Sequence, residues 1–189
     1  MPESTAADRP SHPDAPAGKA EKYALVERER RFLLRASPAG TSLGRVLIED
    51  RYLRGTRLRL RRMTDLVEPR GVIHKFTQKV PAPAGRPGLI TTLYLSAAEY
   101  AMLARIPADT LRKIRASWQG LAVDVFEGPL HGLILAEAEF DTEAEELAFW
   151  PPPEDVAEVT SDPRFTGGRL VTMRAEEVTE LLHAFSLGR

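Results

Sequence analysis

The sequence has no cysteine. That excludes a disulfide framework, thiolate catalysis and Cys-ligated zinc. Its four histidines, His12, His74, His131 and His183, are too scattered to make a zinc or nucleophilic site. No stretch approaches the roughly 18 apolar residues of a membrane span. The N-terminus lacks the basic head and apolar core of a secretory signal. A cytoplasmic protein with no membrane partner is expected. Aromatic residues make up only 7%, and Trp118 and Trp150 read as packing groups. Thr166-Gly167-Gly168-Arg169 lacks the Gly-Lys-Ser/Thr ending of a phosphate loop and reads as a plain turn.

One further absence is local. Between Leu121 and Asp162 there is no Lys or Arg, against 12 acidic residues. Between Lys19 and Lys79 the balance reverses, with 16 basic and 7 acidic residues. The net charge of −1 and pI near 6.5 conceal this segregation. They argue against nucleic-acid binding, sequence-specific or not, while leaving room for a local cationic pocket.

The 189 residues suit one domain with a sizeable core. Residues 1–20, rich in Pro, Ala, Ser and Asp, read as a disordered tail, and 21–189 as the domain. Period-two alternation predicts eight strands: Tyr23–Leu34, Gly44–Leu53, Arg57–Met63, Val72–Val80, Leu89–Leu95, Leu111–Trp118, Ala122–Glu127 and Leu133–Phe140. Pro81–Pro87 reads as a turn. Helices are predicted at Ala97–Ala104, behind a Ser96/Glu99 capping box, at Thr142–Phe149, ending at Pro151-Pro152-Pro153, and at Ala175–Phe185. Glu143–Glu146 reads as a solvated helix face.

The strand faces are unusual. Glu27, Glu29 and Arg31 share a face, as do Arg57, Arg59 and Arg61, then Lys75, Thr77 and Lys79, then Glu137 and Glu139. One such strand is an ordinary solvated face. Repeated over four or five strands, like charges at i, i+2 strain that reading. The alternative closes the sheet with charged faces inward, balanced by each other, by metal ions or by a polyanion. Carboxylates supply hard oxygen ligands for Mg²⁺ or Mn²⁺, and Arg and Lys suit phosphate oxygens. That combination is a setting for metal-assisted phosphoryl transfer to water.

Glu27-Arg28-Glu29-Arg30-Arg31 resembles the Glu-x-Glu-x-Lys signature of the CYTH domain, the triphosphate tunnel metalloenzyme superfamily. Further motifs follow in order over about residues 21–175: Arg59-Leu60-Arg61, then Lys79, Lys113-Ile114-Arg115 and Asp124-Val125-Phe126-Glu127-Gly128. Glu137-Ala138-Glu139-Phe140 and Glu158-Val159-Thr160 come next, and then Asp162 and Arg164-Phe165. The resemblance implies an α+β, mainly β fold: an eight-stranded antiparallel closed tunnel barrel with flanking helices, compatible with a homodimer. It implies metal binding by Glu27, Glu29 and Glu139, and phosphate binding by Arg57, Arg59, Arg61, Lys79, Lys113 and Arg115. Arg31 and Glu137 would serve the catalytic step, with Lys75, Asp124 and Glu158 as further tunnel residues. Two positions depart from the family pattern. Arg31 stands where the family has Lys, and Leu89–Leu95 carries no acid, reading Thr91-Thr92 where many members have Glu.

Three functions stay open. The first is Mg²⁺- or Mn²⁺-dependent hydrolysis of tripolyphosphate or a small organic triphosphate. The others are a polyphosphate- or nucleotide-binding module without turnover and, lower in rank, an adenylate cyclase.

Overall fold

The computed structural model describes residues 23–40, 45–68, 71–81, 87–151 and 155–187, with backbone only at 155 and 156. The predicted tail, most of the 81–87 turn and the Pro152-Pro153 helix stop lie outside the described residues. The strands are β1 Leu25–Glu27, β2 Glu29–Leu34, β3 Arg45–Leu53, β4 Leu58–Asp65, β5 Val72–Val80 and β6 Gly88–Leu95. After α1 (Ala97–Leu103) come β7 Ala108–Trp118, β8 Leu121–Phe126 and β9 Ile134–Glu139. Then follow α2 (Glu143–Ala148), β10 (Asp155–Glu158), α3 (Gly167–Leu170) and α4 (Ala175–Ala184).

The eight-stranded closed barrel is not what forms. All ten strands join one antiparallel sheet, in the order β1-β6-β5-β4-β3-β7-β8-β9-β2-β10, which is not closed by hydrogen bonding. Two local events explain the difference. The predicted strand Tyr23–Leu34 breaks at Arg28, so that β1 pairs with β6 and β2 with β9. The Arg28 carbonyl at the break accepts from the Phe140 N–H at 3.0 Å. The second edge of β2, on which a barrel would close, is taken by β10. Sequence pattern missed β10 because its four residues offer too short an alternation.

The open sheet is nevertheless strongly curled. Lys79 on β5 lies 3.9 Å from Glu29 on β2. Those strands are six places apart, about 29 Å in a flat sheet. The concave face carries the charged residues. One end is filled by an apolar cluster in which Leu33, Leu111, Phe126 and Leu135 meet Phe165, Leu170, Val178 and Leu181. The stretch Thr166–Arg169 is thus not a plain turn but leads into α3, whose Leu170 is buried. The convex face of β2, β8 and β9 buries Phe32, Leu34, Val123, Ala136 and Ala138 against Phe149, the residue that ends α2. Along β2 the apolar residues therefore serve two separate cores.

The β7–β8 hairpin turns on Gln119 and Gly120, both with positive φ (48° and 83°). That matches the primed two-residue turn whose twist suits the flanking strands. It sets the register that places Arg115 opposite Asp124. Among the described residues, no helix is long and apolar enough to cross a membrane.

Candidate active site

The concave face holds a narrow recess of about 90 Å³. It opens into a vestibule of about 620 Å³. Both are lined by Glu27, Glu29, Arg31, Tyr52, Arg59, Lys79 and Gly167, so they form one continuous hollow. Strand alternation delivers these groups: Arg59 and Arg61 point inward from β4, while Leu60 between them is fully buried on the other face.

The recess joins most of the predicted residues. Arg31, Arg59, Arg61, Lys79, Lys113 and Arg115 line it together with Glu27, Glu29, Glu137 and Glu139. They are cross-linked. Arg61 makes a bidentate bond to Asp50, at 2.6 and 2.7 Å. Arg115 donates to both Asp124 oxygens (2.7 and 2.6 Å) and to Glu137 at 2.6 Å. Lys113 donates to Asp124, which is fully buried. Arg31 bonds Glu29 and reaches Glu137 at 3.4 Å. Lys79 pairs with Glu27.

These pairings set the charge states. Burial opposes the Glu137 charge, but Lys113, Arg115, Arg31 and Lys79 together outweigh it and hold its carboxyl far below the usual range. Asp50 is likewise buried, yet it is lowered by Arg61. Burial shifts the Lys113 ammonium down, with Asp124 and Glu137 resisting. Burial raises Glu27, with Lys79 pulling the other way.

Among the described residues three buried guanidinium donors have no hydrogen-bond partner: Arg31 Nη1 and Arg59 Nε in this hollow, and Arg51 Nε outside it. Arg59 Nε lies 3.8 Å from the Asp50 carboxylate, an ion pair beyond hydrogen-bond reach. Buried guanidinium donors without acceptors are costly, and two of them in one hollow suit an anionic ligand.

The structure separates other predicted residues from the recess. Arg57 lies outside it, exposed, on the vestibule wall. Lys75 lines neither hollow; its ammonium sits 5.1 Å over the Tyr94 ring. Asp124 lies beneath the recess as an anchor for Lys113 and Arg115. Glu158 is on the opposite side, bonded by Arg30 at 3.0 and 2.6 Å, which lowers its carboxyl. That Arg30 also lies over Phe32 and Phe149. Of Thr91 and Thr92, only Thr92 bonds on the inner face, to Thr77 at 3.2 Å.

Sequence reading missed Asp50 and Tyr52. Asp50 follows Glu49 in a strand without an alternating charge pattern, so nothing marks it until β3 pairs with β4 and sets Asp50 opposite Arg61. Tyr52 packs so close to Gly167 that a Cβ there would fall 1.9 Å from the tyrosine oxygen. Burial and the nearby Asp50 raise the Tyr52 hydroxyl.

The carboxylates suit a hard divalent cation by chemistry: Glu27 and Glu29 are two residues apart, and Glu29 pairs in register with Glu139. Among the described residues, however, no three acidic or histidine side chains converge as a ready metal site. Glu27 and Glu29 are engaged by Lys79 and Arg31 instead. A larger groove of about 820 Å³ is lined by Glu49, Arg62 and Arg112 and by Leu111, Leu170 and Met173 of the apolar cluster. Its Arg62 and Arg112 are paired with Glu49 and Glu127.

No family model and no curated protein sequence matches the chain. Solved structures do. A crystal structure of the inorganic triphosphatase NE1496 is 25% identical with a TM-score of 0.53, covering 79% of this chain and 96% of that one. A second structure, described as the hypothetical protein NE1496, is 28% identical with the same TM-score, covering 78% and 99%. The chain is therefore similar in fold to an inorganic triphosphatase, at 25–28% identity, a likeness consistent with the CYTH domain that its motifs resemble.

Proposed function

We propose that the recess binds the terminal phosphates of inorganic tripolyphosphate or a small organic triphosphate and hydrolyses a phosphoanhydride bond. The observation that carries this reading is the pair of unsatisfied buried donors, Arg31 Nη1 and Arg59 Nε, in a hollow with four further cations. Phosphate oxygens satisfy such donors with strong charge-assisted bonds. The likeness to a triphosphatase supports the same direction.

The residues divide the work. Arg31 and Arg59 donate to the incoming phosphate. Lys113 and Arg115, locked by Asp124, present fixed positive charge to the charge that develops at the leaving oxygen. Glu137 stays ionised and holds Arg31 and Arg115 in place, so it serves orientation rather than proton transfer. Glu27, Glu29 and Glu139 would hold Mg²⁺ or Mn²⁺, which supplies Lewis-acid neutralisation of phosphate charge. The recess argues for such an ion: its cations are already matched by Glu27, Glu29, Asp50, Asp124, Glu137 and Glu139, so a polyanion needs added positive charge to enter.

The test is phosphate release from tripolyphosphate and ATP across a Mg²⁺ and Mn²⁺ titration. Glu29→Gln and Glu139→Gln should each lower turnover by about a hundredfold or more, the size of loss seen when transition-state charge stabilisation is removed. Full metal-dependent turnover in both variants would overturn the ligand assignment. A second reading, binding without turnover, is favoured by one feature. Ile90 lines the recess and Thr77, bonded to Thr92 at 3.2 Å, lines the vestibule, so β6 brings no carboxylate to the hollow. Tight binding with no release under either metal would support it.

A further inference from the structure

The groove of about 820 Å³ lies where one strand outruns its neighbour. β8 ends at Phe126, opposite Lys113 of β7. The Glu127 N–H still reaches the Arg112 carbonyl at 3.0 Å, and the turn Gly128–Leu130 then takes the chain away. Ala108–Leu111 continue as strand with only β3 beside them among the described residues. The space so left is lined by Leu130, Leu170, Val171 and Met173.

The rest of the lining is charged. Register puts Glu49 between Arg62 and Arg112, with His74 beyond Arg62. Strand alternation sets these residues, with Arg51, on the face opposite that of Asp50 and Arg61. Arg62 pairs with Glu49 at 3.5 Å and Arg112 with Glu127 at 2.7 Å. Arg51 pairs with no carboxylate among the described residues. Its Nη2 donates to the Ile106 carbonyl at 3.3 Å, and its buried Nε has no partner. Burial, with Arg62 adding to it, holds the His74 imidazole below its usual range, so it is uncharged at neutral pH. The groove therefore carries one unmatched positive charge, at Arg51. Tyr100 of α1 also lines it and stacks on His74 with ring centroids 4.3 Å apart, which adds a further apolar surface.

We propose that this groove is a binding site for a small organic monocarboxylate with an apolar body. The carboxylate accepts from Arg51 Nε and neutralises its charge, while the apolar body lies against Val171 and Met173 in place of water. One unmatched guanidinium suits one carboxylate. A polyphosphate is a poor match, because Arg62 and Arg112 are already paired. The volume falls within the range of small-molecule sites, about 300–1,000 Å³. The site is independent of what the recess binds, although Asp50, Leu111 and Leu170 line both hollows.

The experiment titrates octanoate into the full chain by calorimetry and compares octanol, which has the same tail and no charge. Each titration is repeated on Arg51→Gln, and the octanoate titration is repeated with tripolyphosphate present. Wild type should bind octanoate saturably and at least about tenfold more tightly than octanol, the gain from one hydrogen bond between charged groups. Arg51→Gln should lose that gain and leave octanol binding unchanged. Tripolyphosphate should not displace octanoate. No saturable octanoate binding, equal affinity for octanol in wild type, or an unaltered octanoate affinity in Arg51→Gln would each overturn the site. Displacement by tripolyphosphate would also overturn it, by placing the octanoate in the recess. If Arg51→Gln does not fold, the comparison of octanoate with octanol in wild type and the displacement titration decide the matter.

Discussion

Asp124 illustrates how much of this site is internal support. It is fully buried and accepts from both Lys113 and Arg115. Removing its charge leaves two cations in the recess with less compensation, and breaking a buried pair from one side costs about 3–5 kcal/mol. Asp124→Asn should lower unfolding stability by that order in urea titrations. Because the stranded cations are then free for phosphate oxygens, added tripolyphosphate should raise the variant's melting temperature more than the wild type's. An equal shift in both proteins would show that Lys113 and Arg115 do not face the anion. Arg30 shows the reverse arrangement. Neighbouring Arg31 in sequence, it points to the other face and serves the Phe32–Phe149 core and Glu158.

Hairpins decide which charges meet. The Gln119-Gly120 turn fixes the β7–β8 register, and a one-residue slip would turn Arg115 or Asp124 to the convex face. Gly120→Ala, at φ 83°, should cost about 1–2 kcal/mol in a chemical denaturation curve, the price of a Cβ in left-handed backbone. A stability unchanged by this substitution would show that the turn does not hold the register. At the other end of the sheet, the pairing of β10 with β2 removes the edge on which a barrel would close.

Acid behaviour belongs to the assembled charge network. Glu137 and Asp50 have folded-state pKa values held below their ordinary ones. The unfolded chain therefore takes up protons first as pH falls. Their contribution is present above the unfolded carboxylate range, about pH 4, and is lost as pH drops below it. Stability should accordingly fall between about pH 4.5 and 2, followed by the urea midpoint. Glu27, shifted the other way, contributes stability at low pH that is lost as pH rises through its raised pKa, and so opposes the trend. Stability flat across that window would show that the carboxylates are not clamped by their cations.

Much of this protein is written in local pattern. Val72–Val80 forms as a strand over the residues its alternation marks, and the Ser96/Glu99 capping box forms as its spacing requires. The pattern Glu27-x-Glu29-x-Arg31 and its counterparts on β4, β5, β7 and β9 determine which side chains share a face, because alternation is a property of each strand alone. What alternation cannot state is which strand lies beside which, or where an edge is filled. Only the tertiary structure decided that Arg28 splits the first strand and that β10 ends the ladder. It likewise turned Glu158 away, made Asp50 the anchor of Arg61, and left Arg57 outside the recess. Those outcomes follow from long-range pairing and the curl of the sheet, which depend on contacts between residues far apart in the chain.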